Sequence, residues 1–459
     1  MYDLCIIGFG ISGIAVMRQA KKHNINVIGL EKNSNIGGCW WEKSYPEVKL
    51  QSSKHTYSFS DYTYHDFIQK YPNRDDILDY LTQYCQQFKL FETVEFNSTV
   101  ISTVHKQKQN NWEITYQQNN KKHTIHSTFL CCCSGIYSKP VIPNFINIKQ
   151  YTGDIKHVSE WSYKGNEKVE DFKDKKIVII GNGSSGCDMA NLAVKYKAKS
   201  VTLLFKTNKW IFNRNNKLFS VQILLNRSFM FLGNHLSENH IRYLLIIYSS
   251  VYLIIMSLVK GYKFTNISFP NKTISRNNVV INDSLYNLIG QKKINYLQGT
   301  IKQFNVDSID FNIKKQIINY KPDLVIMATG YDKTIPFLQL EKPPVYLYNR
   351  ILHPKFMSLG FIGFIMSVFW IQTSELQAKW FVQYIIGNIN KPTKTQILSY
   401  LIKEQNYYKS HVSYDKYDYA FRSFDYCDLL ANELQIEPLS SNNNLSYWLK
   451  PLYYNEWFS

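Results

Sequence analysis

Two glycine-rich turns, each set between an apolar run and a helical run, constrain this chain more than any other feature. The first follows the apolar run Asp3–Ile7, reads GFGISG with Gly8, Gly10 and Gly13, and opens the helical stretch Ile14–His23; a second apolar run, Asn26–Leu30, then ends in Glu31. The second follows Lys176–Ile180, reads GNGSSG with Gly181, Gly183 and Gly186, and leads through Cys187–Tyr196 to Ser200–Phe205. A strand, a glycine turn, a helix and a strand within about 30 residues form the unit that binds a dinucleotide. Its first glycine permits the tight turn, the second lets the backbone approach a pyrophosphate, and the third allows the helix to pack closely on the strand. Backbone amides at the helix start then face phosphate: Ile11 and Ser12 in the first unit, Ser184 and Ser185 in the second.

The two strand ends separate the ligands. Glu31 stands 23 residues after Gly8; an acid there accepts hydrogen bonds from ribose hydroxyls and disfavours a 2′-phosphate, so the first unit should take FAD or NAD rather than NADP. The second unit ends in Phe205-Lys206 with no acid, and a basic residue at that place pairs with a 2′-phosphate, which selects NADPH. An FAD site followed by an NADPH site implies hydride transfer from nicotinamide to flavin. A disulfide acceptor would need a paired-cysteine motif near the flavin, and the sequence has none. Dioxygen is the simplest remaining acceptor, and it requires a closed, dry pocket. The expected fold class is α/β, with two nested Rossmann-like dinucleotide-binding domains.

Composition narrows the partners. The 45% apolar and 15% aromatic content of the 459 residues excludes a disordered chain. The formal charge of +18 is concentrated: Met189 to Asn282 holds thirteen Lys or Arg against the single acid Glu238. With no recognition motif beside it, this reads as a local field for a 2′-phosphorylated cofactor and not as a nucleic-acid surface. The eight cysteines show no CxxC pair and no disulfide spacing, and the first residues read as a buried strand with no secretory signal, so a reduced, cytoplasmic protein without a bound metal is expected. The uncharged segment 243–259 lies between Arg242 and Lys260. As a helix it would be about 25 Å long, short against a hydrocarbon core of about 30 Å. A packed domain helix, an interfacial element in peripheral contact with a membrane, and a true span all stay open for it.

Elsewhere Asp75–Leu90 has the spacing of a half-buried helix, as does Glu375–Ile386. Strands are predicted at Val94–Val104, Trp112–Tyr116, His123–Cys133, Asp323–Met327 and Leu359–Met366.

Seven segments then fall in a recognisable order: GFGISG with Glu31; Gly37-Gly38-Cys39-Trp40; LQSSKHTYSFSDY from Leu50; YTGDIKHVSEW from Tyr151; GNGSSGCD through Asp188; ATGY at Ala328 to Tyr331; and SELQAKW from Ser374. In this order they resemble the class B flavin monooxygenases, especially the flavin-containing monooxygenases that oxygenate nitrogen and sulfur. The resemblance implies an FAD-binding domain made of residues 1–150 and 325–459, with an NADPH-binding domain, 151–324, inserted between. It implies cofactor contacts at Gly8, Gly10, Ile11, Ser12, Gly13, Glu31, Gly38, Cys39, Trp40 and Ser52, at Gly181, Gly183, Ser184, Ser185, Gly186 and Lys206, and at Thr329 and Gly330. His157, in the third of these segments to carry an aromatic end, reads as a packed structural residue and not as a catalyst.

Gln51 is the informative position. Many nitrogen- and sulfur-oxygenating relatives carry Asn at the matching place, where it steadies a flavin hydroperoxide and NADP; Baeyer–Villiger relatives carry Asp. Gln keeps the neutral carboxamide, which donates and accepts, and lacks the charge that would keep a peroxide deprotonated. The expected catalytic residue is therefore Gln51, acting in NADPH- and dioxygen-dependent oxygenation of an amine or thioether. Two rivals stay open. Baeyer–Villiger oxidation of ketones is suggested by GCWWEKSYP and Trp161, and the other rival is an uncoupled regulatory flavoprotein that only oxidises NADPH.

Overall fold

The computed structural model describes residues 1–214, 238–262, 269–270, 279–338, 346–365, 367, 369–411 and 423–436. Lys217, Arg227, Lys263, Lys272 and Arg276 of the basic stretch, and the end of the strand expected to reach Met366, lie outside them.

The first glycine turn joins β1 (Tyr2–Ile7) to α1 (Ile11–Lys22), and the chain returns in β2 (Val27–Leu30). After α2 (Cys39–Glu42) and α3 (Arg74–Gln87) come β3 (Val94–Glu95), β4 (Thr99–Lys106), β5 (Asn111–Gln118) and β6 (Lys121–Cys132). These strands form one sheet in the order β3-β2-β1-β6-β5-β4. β6 serves two ladders. Lys121 to Ser127 pair antiparallel with β5, while Ser127 to Cys132 run parallel to β1. The run expected as one strand, Val94–Val104, is broken because Asn97 takes a left-handed conformation, φ 55°.

A short β7 (Lys139–Pro140) leads into the second sheet, built from β8 (Asp154–His157), β9 (Lys176–Ile180), β10 (Ser200–Phe205), β13 (Asn295–Gln298) and β17 (Leu324–Met327). Its order is β13-β10-β9-β17-β8, and every pairing is parallel. α4 (Ser184–Lys195) follows β9, and the paired strands β11 (Trp210–Phe212) and β12 (Val279–Ile281) flank α5 (Glu238–Lys260) in sequence. α6 (Leu285–Gly290) precedes β13, and an antiparallel meander, β14 (Thr300–Phe304), β15 (Ile309–Ile313) and β16 (Gln316–Tyr320), precedes β17. Because β17 pairs with β9 and β8, the second sheet extends to Met327, past the boundary expected at 324.

The last part of the chain returns to the first sheet. β18 (Tyr331–Asp332) pairs with β7, and β19 (Leu359–Phe361) runs parallel to β6 through Leu359↔Leu130. β19 is shorter than the predicted strand because Gly363, at φ 79°, turns the chain. α7 (Trp370–Ile385) then packs on α1, and α8 (Lys394–His411) and α9 (Ser423–Glu433) follow, α9 against α7. One apolar core joins α1, α3, α7 and α9; a second surrounds α4 and its sheet.

Close backbone approach sets the first turn. A Cβ on Gly13 would lie 2.0 Å from the Gly8 carbonyl oxygen, and one on Gly8, at φ 94°, would lie 2.8 Å from that of Cys133. Gly13→Ala is therefore expected to destabilise the first domain by about 3 kcal/mol or more, read as a fall in the urea midpoint.

Candidate functional site

The two glycine turns are built alike, each crossed by the end of a neighbouring strand. In the first, Cys133 follows β6 and donates its amide to the Ile7 carbonyl (2.8 Å). In the second, Ala328 follows β17 and donates to the Ile180 carbonyl (2.9 Å), so that a Cβ on Gly181 would meet the Ala328 oxygen at 2.5 Å. Past each crossing stands a glycine with positive φ and open space around it: Gly135 (71°) in Cys133-Ser134-Gly135 and Gly330 (84°) in Ala328-Thr329-Gly330. Thr329 and Gly330 were expected at the site. Their counterparts Ser134 and Gly135 were not, although CSGIY and ATGYD share a visible pattern.

The helix starts fit anionic ligands. Neither α1 nor α4 has a side-chain cap or an acid in its first turn, and their N-cap residues are Gly10 and Gly183. α3, in contrast, carries a complete capping box from Asn73 and Asp76. Unsatisfied amides and the positive end of the helix dipole thus remain at the two glycine turns. A Cβ on Gly183 would touch nothing within 4 Å, which leaves room for a pyrophosphate. Gly10 packs on Gly38, whose α-carbon would lie 3.4 Å from a Cβ built on Gly10. Gly363 and Ser374 approach from the C-terminal part, Ser374 Oγ lying 3.2 Å from Ser12 Oγ.

Glu31 is buried, and its carboxylate accepts the Phe9 amide at 2.7 Å and the Asn33 amide at 2.8 Å. Burial pushes its pKa up while the two amides pull it down. It therefore pins the glycine turn, and its remaining lone pairs are available to ribose hydroxyls. Cys39 is exposed, yet the protein atoms packed around it and the nearby Glu42 push its thiol up to about 11. Tyr57, Tyr137 and Tyr331 all stand within electrostatic reach of it. Trp40 Nε1 donates to the Tyr57 hydroxyl at 2.7 Å, and Tyr137 and Tyr331 meet edge to face at 5.8 Å.

The loop carrying Gln51 and Ser52 is held by Lys54, a residue sequence reasoning had no signal to single out. The buried Lys54 ammonium donates to the carbonyls of His65 (3.0 Å), Asp66 (3.2 Å) and Ile68 (2.8 Å), so one side chain folds the returning strand of loop against the outgoing one. Leu50 and Lys54 donate their amides to Pro72 and Lys70. Between these two paired positions Gln51 is exposed and Ser52 is half-buried.

Residues 41–50 dock the first domain on the second. The Tyr45 hydroxyl donates to Asp188 (2.8 Å) and Asn282 Nδ2 donates to the other Asp188 oxygen (2.9 Å). Burial pushes Asp188 up to about 6 against these two donors. Arg214 donates to the Leu50 carbonyl at 3.0 Å while paired with Asp283 at 2.9 Å, which ties the basic domain to the residue before Gln51. Glu47 pairs with Lys195. In the second unit Asn182 donates to the Tyr296 hydroxyl (3.1 Å), which donates to Asn208 (3.1 Å), bracing the turn that Ser184, Ser185 and Gly186 enter. Lys206 is exposed just past β10 and has no ion pair among the described residues. His157 is buried, with Nδ1 at 2.9 Å from Ser159 Oγ and Nε2 at 3.1 Å from the Gly330 carbonyl, a packed and hydrogen-bonded residue as expected.

The family model described as flavin-binding monooxygenase-like matches residues 2–446. Flavin-containing monooxygenase 5 of Cavia porcellus is 26% identical over 434 residues, covering 88% of this chain and 76% of its own. Among solved structures, S-allyl-L-cysteine S-oxygenase from Allium sativum superposes with a TM-score of 0.68 at 18% identity, over 96% of this chain and 90% of that one. OTEMO in complex with FAD and NADP superposes with a TM-score of 0.73 at 16% identity, over 94% and 98%.

Two substitutions separate binding from folding. Gly183→Ala fits the space present, so it should leave the urea midpoint unchanged while weakening NADPH binding about tenfold, ~1.4 kcal/mol. Lys206→Ala should raise the KM for NADPH about tenfold or more and leave that for NADH unchanged; steady-state kinetics with both nucleotides tests it.

Proposed function

The chain belongs to the flavin-binding monooxygenase-like family, and from that membership we propose that it uses NADPH and dioxygen to oxygenate an amine or a thioether. FAD, once reduced, supplies the activated oxygen; the protein binds, orients and keeps water out. The glycine turn, Glu31 and the Gly38-Cys39-Trp40 segment are the residues to hold FAD. Gly181, Gly183, Ser184, Ser185, Gly186 and Lys206 are those to hold NADPH, with Thr329 and Gly330 at the junction. The aromatic side chains of Trp40, Tyr57, Tyr137 and Tyr331, gathered near Cys39, supply the apolar surface that such chemistry needs.

The observation that carries the choice of substrate is Gln51. Leu50, held by Arg214, and Lys54, held to the carbonyls of residues 65–68, fix the backbone on either side of the exposed Gln51, whose side chain is a neutral carboxamide. A neutral donor stabilises a protonated, electrophilic oxygen and does not generate the anion that attacks a ketone. The Baeyer–Villiger alternative rests on GCWWEKSYP and on Trp161, which is buried.

A panel of thioethers, tertiary amines and ketones decides between them. Thioether or amine oxides should dominate, and Gln51→Asp should lower their formation at least about tenfold, ~1.4 kcal/mol in transition-state stabilisation, with Gln51→Asn within a few-fold of the parent. Esters from ketones would establish the alternative, and hydrogen peroxide as the sole product would establish an uncoupled oxidase.

We also propose that α5 contacts an anionic membrane surface. Leu245, Ser249, Tyr252 and Met256 bury one face of it, while Leu244, Ile247, Val251, Ile254 and Leu258 expose an apolar stripe on the other. Among the described residues it is the one helix long and apolar enough to cross a bilayer, but its packed face and basic flanks suit an in-plane position. Flotation with phosphatidylserine-containing vesicles should capture the protein, and Ile247→Glu with Ile254→Glu should abolish capture.

A further inference from the structure

Gln51 is the first residue past the neck of a long loop. The Leu50 amide donates to the Pro72 carbonyl (2.9 Å), and Lys49 bridges Asn73 antiparallel, so the chain leaves and returns at one place. Beyond the neck the loop is held from within the first domain. Lys54 holds it, and so does the Glu375 carboxylate of α7, which accepts the Ser60 amide at 3.0 Å and the Ser60 hydroxyl. At the neck the grip comes from the second domain. Arg214 Nε donates to the Leu50 carbonyl at 3.0 Å on the outgoing side, and the Arg214 carbonyl accepts the Tyr71 hydroxyl at 2.8 Å on the returning side.

Arg214 is itself firmly seated. It stands two residues past β11 and Asp283 two residues past β12; those strands pair in parallel with Phe212 opposite Ile281, which brings the two side chains together. The Asp283 carboxylate accepts the Arg214 amide (2.6 Å) on one oxygen and the guanidinium (2.9 Å) on the other. Asn282, next to it, donates to Asp188 of α4, the helix that opens at the second glycine turn. A hydrogen-bonded run through residues 282 and 283 therefore links that helix to the peptide joining Leu50 to Gln51. The peptide is planar, so a bond that holds the Leu50 oxygen also restricts where the Gln51 nitrogen and α-carbon can lie. The Arg214 side chain is 11% exposed, and a guanidinium presents its donors at a fixed spacing.

We propose that Arg214 is a positioning residue: it sets the backbone of Gln51 from the second domain, so that Gln51 is placed for oxygen transfer only when the two domains are in register. This rests on the reading that Gln51 acts on the oxygen being transferred. With the neck held, a thioether, NADPH, a proton and dioxygen give the sulfoxide, NADP+ and water. With the neck released, NADPH, a proton and dioxygen give NADP+ and hydrogen peroxide, and the thioether is left unchanged. Two electrons leave NADPH in both cases; in the first, the sulfur supplies the other two that reduce dioxygen fully.

The test uses the full chain with thioanisole and measures sulfoxide and hydrogen peroxide formed per NADPH oxidised. Arg214→Ala should lower the sulfoxide yield about tenfold, with the KM for NADPH within a few-fold of the parent. Arg214→Lys keeps the charge beside Asp283 but offers one compact ammonium in place of the fork, and should not restore the yield. Tyr71→Phe, which releases the other side of the neck, should lower it a few-fold. Gln51→Ala should lower it as Arg214→Ala does, and the double variant no further. A readout free of turnover is amide hydrogen exchange: the Leu50 amide should exchange about tenfold faster in Arg214→Ala, with those of β1 unchanged. Parent-like coupling in Arg214→Ala, losses that multiply in the double variant, unchanged exchange at Leu50, or a loss confined to the KM for NADPH overturns the assignment. A parent that releases only hydrogen peroxide, or a Gln51→Ala chain coupled as the parent is, overturns the reading of Gln51 and the proposal with it.

Discussion

The structure depends on two places where one backbone passes another too closely for any side chain. At Gly8 the obstacle is the carbonyl of Cys133, and at Gly181 it is that of Ala328. Each crossing fixes a strand end against a glycine turn, and each turn leaves a helix start without a cap. The amides that fold without partners are the ones a phosphate would occupy. Packing and binding are therefore one constraint, imposed twice in the same chain, and both domains inherit their ligand geometry from it.

Around these crossings the polar groups that are buried have specific tasks. Glu31 restrains the first turn through the amides of Phe9 and Asn33. Lys54 closes the loop by donating to the carbonyls of His65, Asp66 and Ile68. Tyr45, Asp188 and Asn282 join the domains through a chain of hydrogen bonds in which each group is both desolvated and paired. Unpaired, each of these groups would cost stability; paired, each determines a register that apolar packing alone leaves open.

Much of this was legible in the sequence because the signals are local. Lys176–Ile180 and Ser200–Phe205 are the strands observed, since an apolar run bounded by turn residues needs no distant information. The glycine turns and Glu31 were legible for the same reason. What escaped was long-range. Nothing near Lys54 announces the carbonyls of residues 65–68, and nothing near Glu375 announces Ser60, 315 positions earlier. Ser134 and Gly135 follow three consecutive cysteines that continue the apolar run of β6, and although CSG and ATG share a pattern in the sequence, their equivalence rests on β6 and β17 holding equivalent places. The strand predicted at Leu359–Met366 failed where Gly363 reverses the chain to bring α7 over α1.

The return of the C-terminal part to the first sheet has a consequence for how the chain is made. Every strand of the second sheet lies between Asp154 and Met327, so that domain has all its strands once Met327 has emerged. The first domain, although synthesised earliest, lacks β19 and the α7 cover over α1 until some 380 residues are out. Domains tend to form as units during synthesis, and contacts of long sequence separation form late. The half that begins the chain is thus the last to close, and during that interval the apolar side of α1 awaits a partner still being translated.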